Sequence, residues 1–313
     1  MRRRRTALGV AVATAAVAAL TTLTAGPASA APAASRIVLA DGSLYLVAAD
    51  GTGLHAITSD DDDASPSFSP DGRQVAYVHA GEVWVTRDGG TPREVTHVGG
   101  TAREVAWSPD GTWLAFTAAA GDLRDVFEVH PAGGTVQRLT FVANRGCYAA
   151  APAWSPDSTR IAYQRIPTGA GSCTTGGIVV QRLGGSGFLA VAGTASVPSF
   201  TADGRHLVFL AECGDVDVCG DRTVGWLSDG SGHHAHMVAV EHLCAEGDLC
   251  LQRMVGAPDR GWVEGYTYAE SDDPDATRET CFQGAYENAA GTVVQRAPSF
   301  CVGGHLGGEF DVH

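Results

Sequence analysis

An all-β fold of six four-stranded antiparallel blades is predicted for this 313-residue chain by three observations. A tight corner recurs between apolar stretches, and a short strand ending in a glycine turn recurs in step with it. No helical period is found after residue 30. The first corner is Ser69-Pro70-Asp71-Gly72, within "SPSFSPDGRQVAYV". Pro70 fixes φ at the second turn position, Asp71 suits the third, and Gly72 accepts the positive φ that returns the chain.

The corner stretch returns as "EVAWSPDGTWLAFT" (104–117), "APAWSPDSTRIAYQ" (151–164) and "VPSFTADGRHLVFL" (197–210). Eroded copies are "MVGAPDRGWVEGYTY" (254–268) and "APSFCVGGHLGGEF" (297–310). From Ser69 the first steps are 39 residues to Ser108, 47 to Ser155 and 46 to Thr201. Strand-rich repeats of that period form propeller blades. The glycine-turn strand accompanies them at 42–53, 81–90, 124–134, 176–187, 222–232 and 280–291.

Each blade then reads as strand A before the corner, B after it, C before the glycine turn and D beyond. B strands such as Val75-Ala76-Tyr77-Val78 are apolar at consecutive positions, as expected of a sheet covered on both faces. The aromatic before each corner (Phe68, Trp107, Trp154, Phe200, Phe300) reads as a filler between blades. The corner aspartates Asp71, Asp110, Asp157, Asp203 and Asp259 occupy one place in successive repeats, which points to turn chemistry rather than catalysis. The first strand recognised at the head is a C strand, and the tail carries an A and B pair. Residues 298–311 and 42–58 are therefore expected to share one sheet, closing the ring and removing two exposed edges.

The stretches "PSFSPDGRQVAYV", "VAWSPDGTWLAFT" and "LYLVAADGTGLHAIT" resemble the WD-repeat-like repeats of TolB-like propeller proteins. The resemblance covers nearly all of residues 36–311. It implies a six-bladed propeller, periplasmic or secreted, that acts by binding other proteins. Related repeats occur in the propeller halves of prolyl-oligopeptidase-type enzymes, which add a hydrolase domain marked by G-x-S-x-G. The glycines of "GGSGF" stand at another spacing.

Residues 1–30 read as a signal peptide and 31–313 as a single propeller domain. Arg2–Arg5 form the basic region, Ala7–Ala25 hold an apolar run, and Ala28-Ser29-Ala30 suits cleavage after Ala30. A retained membrane anchor is the rival, and either general or twin-arginine export is compatible with the arginines. With cleavage the expectation is a secreted, extracellular monomer without an integral membrane span. The net charge of −14 argues against nucleic acid and anionic lipid as partners. It leaves a protein or cell-envelope component as the expected partner.

The eight cysteines are Cys147, Cys173, Cys213, Cys219, Cys244, Cys250, Cys281 and Cys301, a number that suits an oxidising compartment. Cys213/Cys219 and Cys244/Cys250 are the preferred local pairs, Cys147/Cys173 a third, and Cys281/Cys301 follows by elimination. Connectivity stays open, with zinc ligation as the rival, although no C-x-x-C pair is present.

In an antiparallel blade the A–B and C–D turns share one end, and the B–C and D–A loops share the other. The second face carries the long, variable loops and is the expected recognition surface. Its acidic candidates are Asp60, Asp61, Asp62 and Asp63; Asp215, Asp217 and Asp221 within "CGDVDVCGD"; and Asp272 and Asp273 within "ESDDPDATRE". A carboxylate run is ordinarily solvated, and calcium or basic side chains are its alternative ligands. His234 and His236 alternate onto one side of a strand and could begin a zinc or copper site, against the reading of plain surface histidines. No cofactor is firmly implied, and calcium is the ion the carboxylates suit. The leading reading is a non-catalytic binding scaffold with an acidic, disulfide-braced face. The alternative is an extracellular hydrolase or lyase with a metal ion in the propeller channel.

Overall fold

The structure, a computed structural model, describes residues 36–212 and the strand segments 223–229, 236–237, 250–256, 262–269, 278–287, 293–303 and 309–312. Residues 1–30 lie outside these, so the signal-peptide reading falls outside the described residues. The described residues are all-β apart from one 3₁₀ turn at Ala143–Arg145.

Along the chain, β1 (Arg36–Asp41), β2 (Ser43–Ala48) and β3 (His55–Ala56) come first. A sheet of β4 (Asp63–Phe68), β5 (Val75–His79), β6 (Glu82–Thr86) and β7 (Arg93–Glu94) follows. The next holds β8 (Arg103–Trp107), β9 (Leu114–Ala120), β10 (Leu123–Val129) and β11 (Gln137–Arg138). After it come β12 (Cys147–Trp154), β13 (Arg160–Pro167), β14 (Gly177–Arg182) and β15 (Gly187–Ala192). Then stand β16 (Ser196–Phe200), β17 (His206–Glu212), β18 (Thr223–Asp229) and β19 (His236–Met237). The last full set is β20 (Cys250–Gly256), β21 (Trp262–Ala269), β22 (Arg278–Glu287) and β23 (Val293–Gly303). Finally β24 (Glu309–Val312) pairs antiparallel with β1, giving the order β24-β1-β2-β3. The described residues thus form six four-stranded antiparallel sheets.

The second strands β1, β5, β9, β13 and β17 each bury three or more consecutive residues, as an apolar run covered on both faces requires. Val75 to Val78 are all buried, and so are Ile37 to Ala40 in β1. The aromatic before each corner reaches into the preceding sheet. Phe68 packs with Val38 and Leu44, and Trp107 with Ala76 and Val83. Trp154 packs with Ala115 and Val126, and Phe200 with Ala162 and Ile178. Trp154 also donates its indole N–H to the carbonyl of Ala106, 3.1 Å away. Burial of such a ring contributes about 2–3 kcal/mol, so these wedges hold successive sheets together.

A bulge interrupts the first strand of each of these sheets, at Ala64/Ser67, Arg103/Ala106, Ala150/Ala153 and Ser196/Ser199. At each, a non-glycine residue takes left-handed φ: Ser65 at 52°, Glu104 at 45°, Ala151 at 47° and Val197 at 46°. The bulge gives the repeat a register mark that turn motifs alone do not supply.

One expectation changes at the termini. The tail supplies a single strand, β24, where the sequence suggested a pair. Residues 293–303 instead form β23, the outer strand beside β22. The eroded "CVGG" stretch lacks the proline and aspartate that turn a corner, so it cannot join an A strand to a B strand. The missing B strand is Arg36–Asp41, whose apolar run demands cover on both faces.

Candidate functional site

At the corner end of the sheets the aspartates are engaged within their own turns. In the first corner, Ser69 donates its hydroxyl to Asp71 Oδ1 at 2.6 Å, and the same oxygen accepts the Arg73 N–H at 3.1 Å. The Gln74 N–H donates to Ser69 Oγ at 2.9 Å. Ser108/Asp110, Ser155/Asp157 and Thr201/Asp203 repeat the pattern. The Ser155 hydroxyl, chief among the hydrogen bonds there, holds the Asp157 carboxyl down to about 2. Gly72, Gly111, Ser158 and Gly204 take the positive φ that the corner needs. These carboxylates are committed to their own turns; Asp259 lies outside the described residues.

At the opposite end the B–C turns clasp the D–A loops. The Asp63 N–H donates to the Gly42 carbonyl and the Ala102 N–H to that of Gly81, each at 2.7 Å. Gly81 has φ of +73°, and a Cβ there would stand 2.1 Å from the Gly100 oxygen, so only glycine fits.

In two sheets an acid near the head of the C strand fixes the following loop. Glu82 accepts N–H bonds from Val98 at 2.8 Å and Gly100 at 2.9 Å, and the Thr96 hydroxyl at 2.7 Å. Burial raises the Glu82 carboxyl, but these donors outweigh it and leave the group below its ordinary value. Asp125 does the same for Val142 and Thr140 and is also paired with Arg138. Thr58, Thr96 and Thr140 cap the N–H groups of Leu44, Val83 and Val126 on the C strands, at 2.8–2.9 Å. This lock was missed in the sequence. Its signal is an acid followed 14 or 15 residues later by threonine.

The four consecutive aspartates differ in burial. Asp60, Asp61 and Asp62 are exposed, whereas Asp63 is 2% exposed at the start of β4. It stands opposite His79 in the antiparallel register, with 2.8 Å between Asp63 Oδ1 and His79 Nδ1. Burial pushes the Asp63 carboxyl up, while Thr58 and His79 act against this and Asp60 adds to it. His79 carries no sequence motif, so only the strand register reveals it.

Further round the same end, Arg103, Asp122, Arg124 and Tyr148 line a depression of about 410 Å³. Tyr148 and Ile166 are register partners on β12 and β13, each 37% exposed, and Phe141 on the loop leading to β12 is 58% exposed. The Arg138 guanidinium lies 4.7 Å from the Phe141 ring centroid. A disulfide joins Cys147 to Cys173, with Cα atoms 5.8 Å apart, and braces this region from below. Charge on this face is therefore divided, with carboxylates at Asp60–Asp62 and arginines at Arg103 and Arg124.

The remaining expected positions are distributed as follows. Asp215, Asp217, Asp221, Asp272, Asp273, His234, Cys213, Cys219 and Cys244 lie outside the described residues. His236 falls on β19 and Cys250 opens β20. Cys281 and Cys301 are register partners on β22 and β23.

Residues 64–220 match the PD40 family, the TolB beta propeller domain. An uncharacterized peptidase, YuxL, of Bacillus subtilis (strain 168) is 31% identical over 123 residues. The match takes in 34% of this chain and 18% of that protein, so the chain spans about a fifth of this relative. Among solved structures, the putative TolB of Agrobacterium tumefaciens is similar with a TM-score of 0.61 at 17% identity, over 90% of this chain and 97% of the other. TolB of Acinetobacter baumannii also gives 0.61, at 16% identity, over 83% and 64%. An oligogalacturonate lyase in complex with manganese gives 0.53 at 14% identity, over 83% and 70%. At such identities the likeness is one of fold.

Proposed function

The chain belongs to the TolB beta propeller family, and from that premise we propose that it is a secreted, non-catalytic six-bladed scaffold whose B–C/D–A face binds a protein of the cell envelope. The observation that carries this reading is exposed Tyr148 beside Arg103 and Arg124, with its exposed register partner Ile166 and, on the loop leading to β12, exposed Phe141 against Arg138. Exposed aromatics grouped next to arginine form the usual hot spots of protein interfaces. Asp60–Asp62 add an acidic rim for basic side chains of the partner. The corner end also carries exposed Leu54 and Phe188 and a depression of about 500 Å³ lined by Arg73, Arg87 and Arg93, but its aspartates are bound within their own turns.

The ring itself is part of the proposal. In its support, β24, β4, β8, β12, β16 and β20 each lie against the next, and β20 lies against β24. The Phe68 N–H donates to Asp311 Oδ2 at 2.7 Å, which ties the tail strand to the following sheet. Secretion is supported by the Cys147–Cys173 bridge and by the basic and apolar head of the sequence.

Site-specific photo-crosslinking tests the reading in the native cell envelope. A benzophenone side chain placed at position 148 or 61 is expected to trap a discrete partner, and one placed at position 87, on the corner end, is expected to trap none. Absence of a product at both 148 and 61, or the same product at 87, would overturn the assignment of this face.

A further inference from the structure

The first strand of one sheet carries a residue that the others avoid. Asp63 lies two positions before the left-handed bulge residue Ser65. The residues at the same place before Glu104, Ala151 and Val197 are Ala102, Ala149 and Ala195, which are 0%, 1% and 1% exposed. Three repeats therefore bury a methyl group where this one buries a carboxylate. Such a group is costly unless its oxygens are satisfied. Oδ1 meets His79 and the Thr58 hydroxyl acts on the carboxyl, yet buried Oδ2 has no well-formed hydrogen bond among the described atoms.

The surroundings point to what should meet it. A carboxylate oxygen of Asp60, one of Asp63 and a ring nitrogen of His79 all lie within 4.8 Å of one another. The assembly is held rigidly. The Asp63 backbone is clasped by Gly42 at 2.7 Å, and Ser43 donates its hydroxyl to the Asp60 carbonyl at 2.6 Å. The His79 ring is set edge-on against Trp84, with centroids 5.5 Å apart. No arginine is paired with either aspartate among the described ion pairs, and His79 meets only Asp63, which leaves a bound cation placed to offset both carboxylates together.

From this geometry we infer a binding site for one divalent transition-metal ion, formed by Asp60, Asp63 and His79. The donor set selects the class. An imidazole with two carboxylates suits zinc or manganese, whereas calcium takes oxygen ligands alone. Three protein donors leave coordination positions for water on the side of exposed Asp60. The site shares Asp60 with the proposed acidic rim, but Tyr148, Arg103 and Arg124 take no part in it, and metal uptake is read without the partner.

Metal-stripped full chain is titrated with Zn²⁺, Mn²⁺ and Ca²⁺ by calorimetry, with metal content measured after gel filtration. The expected result is one Zn²⁺ or Mn²⁺ per chain, bound at least about a hundredfold more tightly than Ca²⁺, together with a rise in Tm. Asp63→Ala and His79→Gln are expected to weaken that uptake about a hundredfold and to remove the rise in Tm. Asp63→Ala installs the residue that three other repeats carry, so it should fold, and Asp63→Asn provides a second variant of nearly unchanged volume. Asp61→Asn with Asp62→Asn, which alters only the rim, should leave uptake unchanged. No uptake of zinc or manganese, uptake unaffected by changes at Asp63 and His79, or a preference for calcium would each overturn the inference.

Discussion

At the scale of single residues, the same side chain serves opposite ends. Asp71, Asp110, Asp157 and Asp203 sit in water-facing corners and are stabilised as anions by the hydroxyls and N–H groups of their own turns. Asp63 is buried, and burial opposes its charge. For Asp157 the consequence for stability can be signed. Its folded value of about 2 is below the ordinary 3.8, so ionised Asp157 favours the folded state above about pH 4. That contribution fades as pH falls from about 4 to about 2. Solvent screening keeps it below about 1 kcal/mol. Asp157→Asn should accordingly lower stability at pH 6 and make no difference near pH 2, as read by urea unfolding at both values. A gap that persisted at pH 2 would show that the carboxylate's charge is not the cause. The corner role of these residues was legible from their spacing. The partner of Asp63 was not, because His79 is 16 residues away and meets it only through strand register.

At the scale of elements, strands and turns follow local chemistry closely. Val75–Val78 and Ile161–Tyr163 form interior strands because their apolar runs leave no polar face for water. What local chemistry omits is the device that holds the loops. Glu82 and Asp125 use their carboxylates as fixed acceptors for loop N–H groups, and the loops so held carry Val98 and Phe141 on the B–C/D–A end. The Cys147–Cys173 bridge works beside them by closing 26 residues of sequence separation. On a chain-entropy basis, such a link contributes about 3 kcal/mol. Replacing both cysteines with serine should lower stability by about that amount and loosen Tyr148 and Ile166, while the corners stay intact. Hydrogen exchange resolves the two effects. Protection lost at 147–175 and kept at 69–74 is the expected outcome, and uniform loss would assign the bridge a global role instead.

At the scale of the whole molecule, the tail strand is decisive. β24 covers β1, whose four buried apolar residues would otherwise form an open sheet edge. Its Asp311 carboxylate also accepts the Phe68 N–H of the next sheet. Removing residues 309–313 should expose that edge, lower Tm by at least several degrees and promote association through β1. Light scattering and thermal unfolding of the shortened chain measure both. A truncated chain that stayed monomeric and equally stable would argue against a ring held by its own termini. Repetition explains why so small a segment matters: each sheet buries its flanks against neighbours, so a gap at one place exposes two surfaces.

The sequence by itself determined the kind of element and its recurrence, because corners, glycine turns and interior strands rest on residues within a few positions of one another. Only the tertiary structure decided that Arg36–Asp41 pairs with Glu309–Val312, and that Asp63 faces His79 across a strand pair. Both depend on register between distant segments. A bulge or a single-residue slip redirects every side chain beyond it, and no local pattern records where that shift falls.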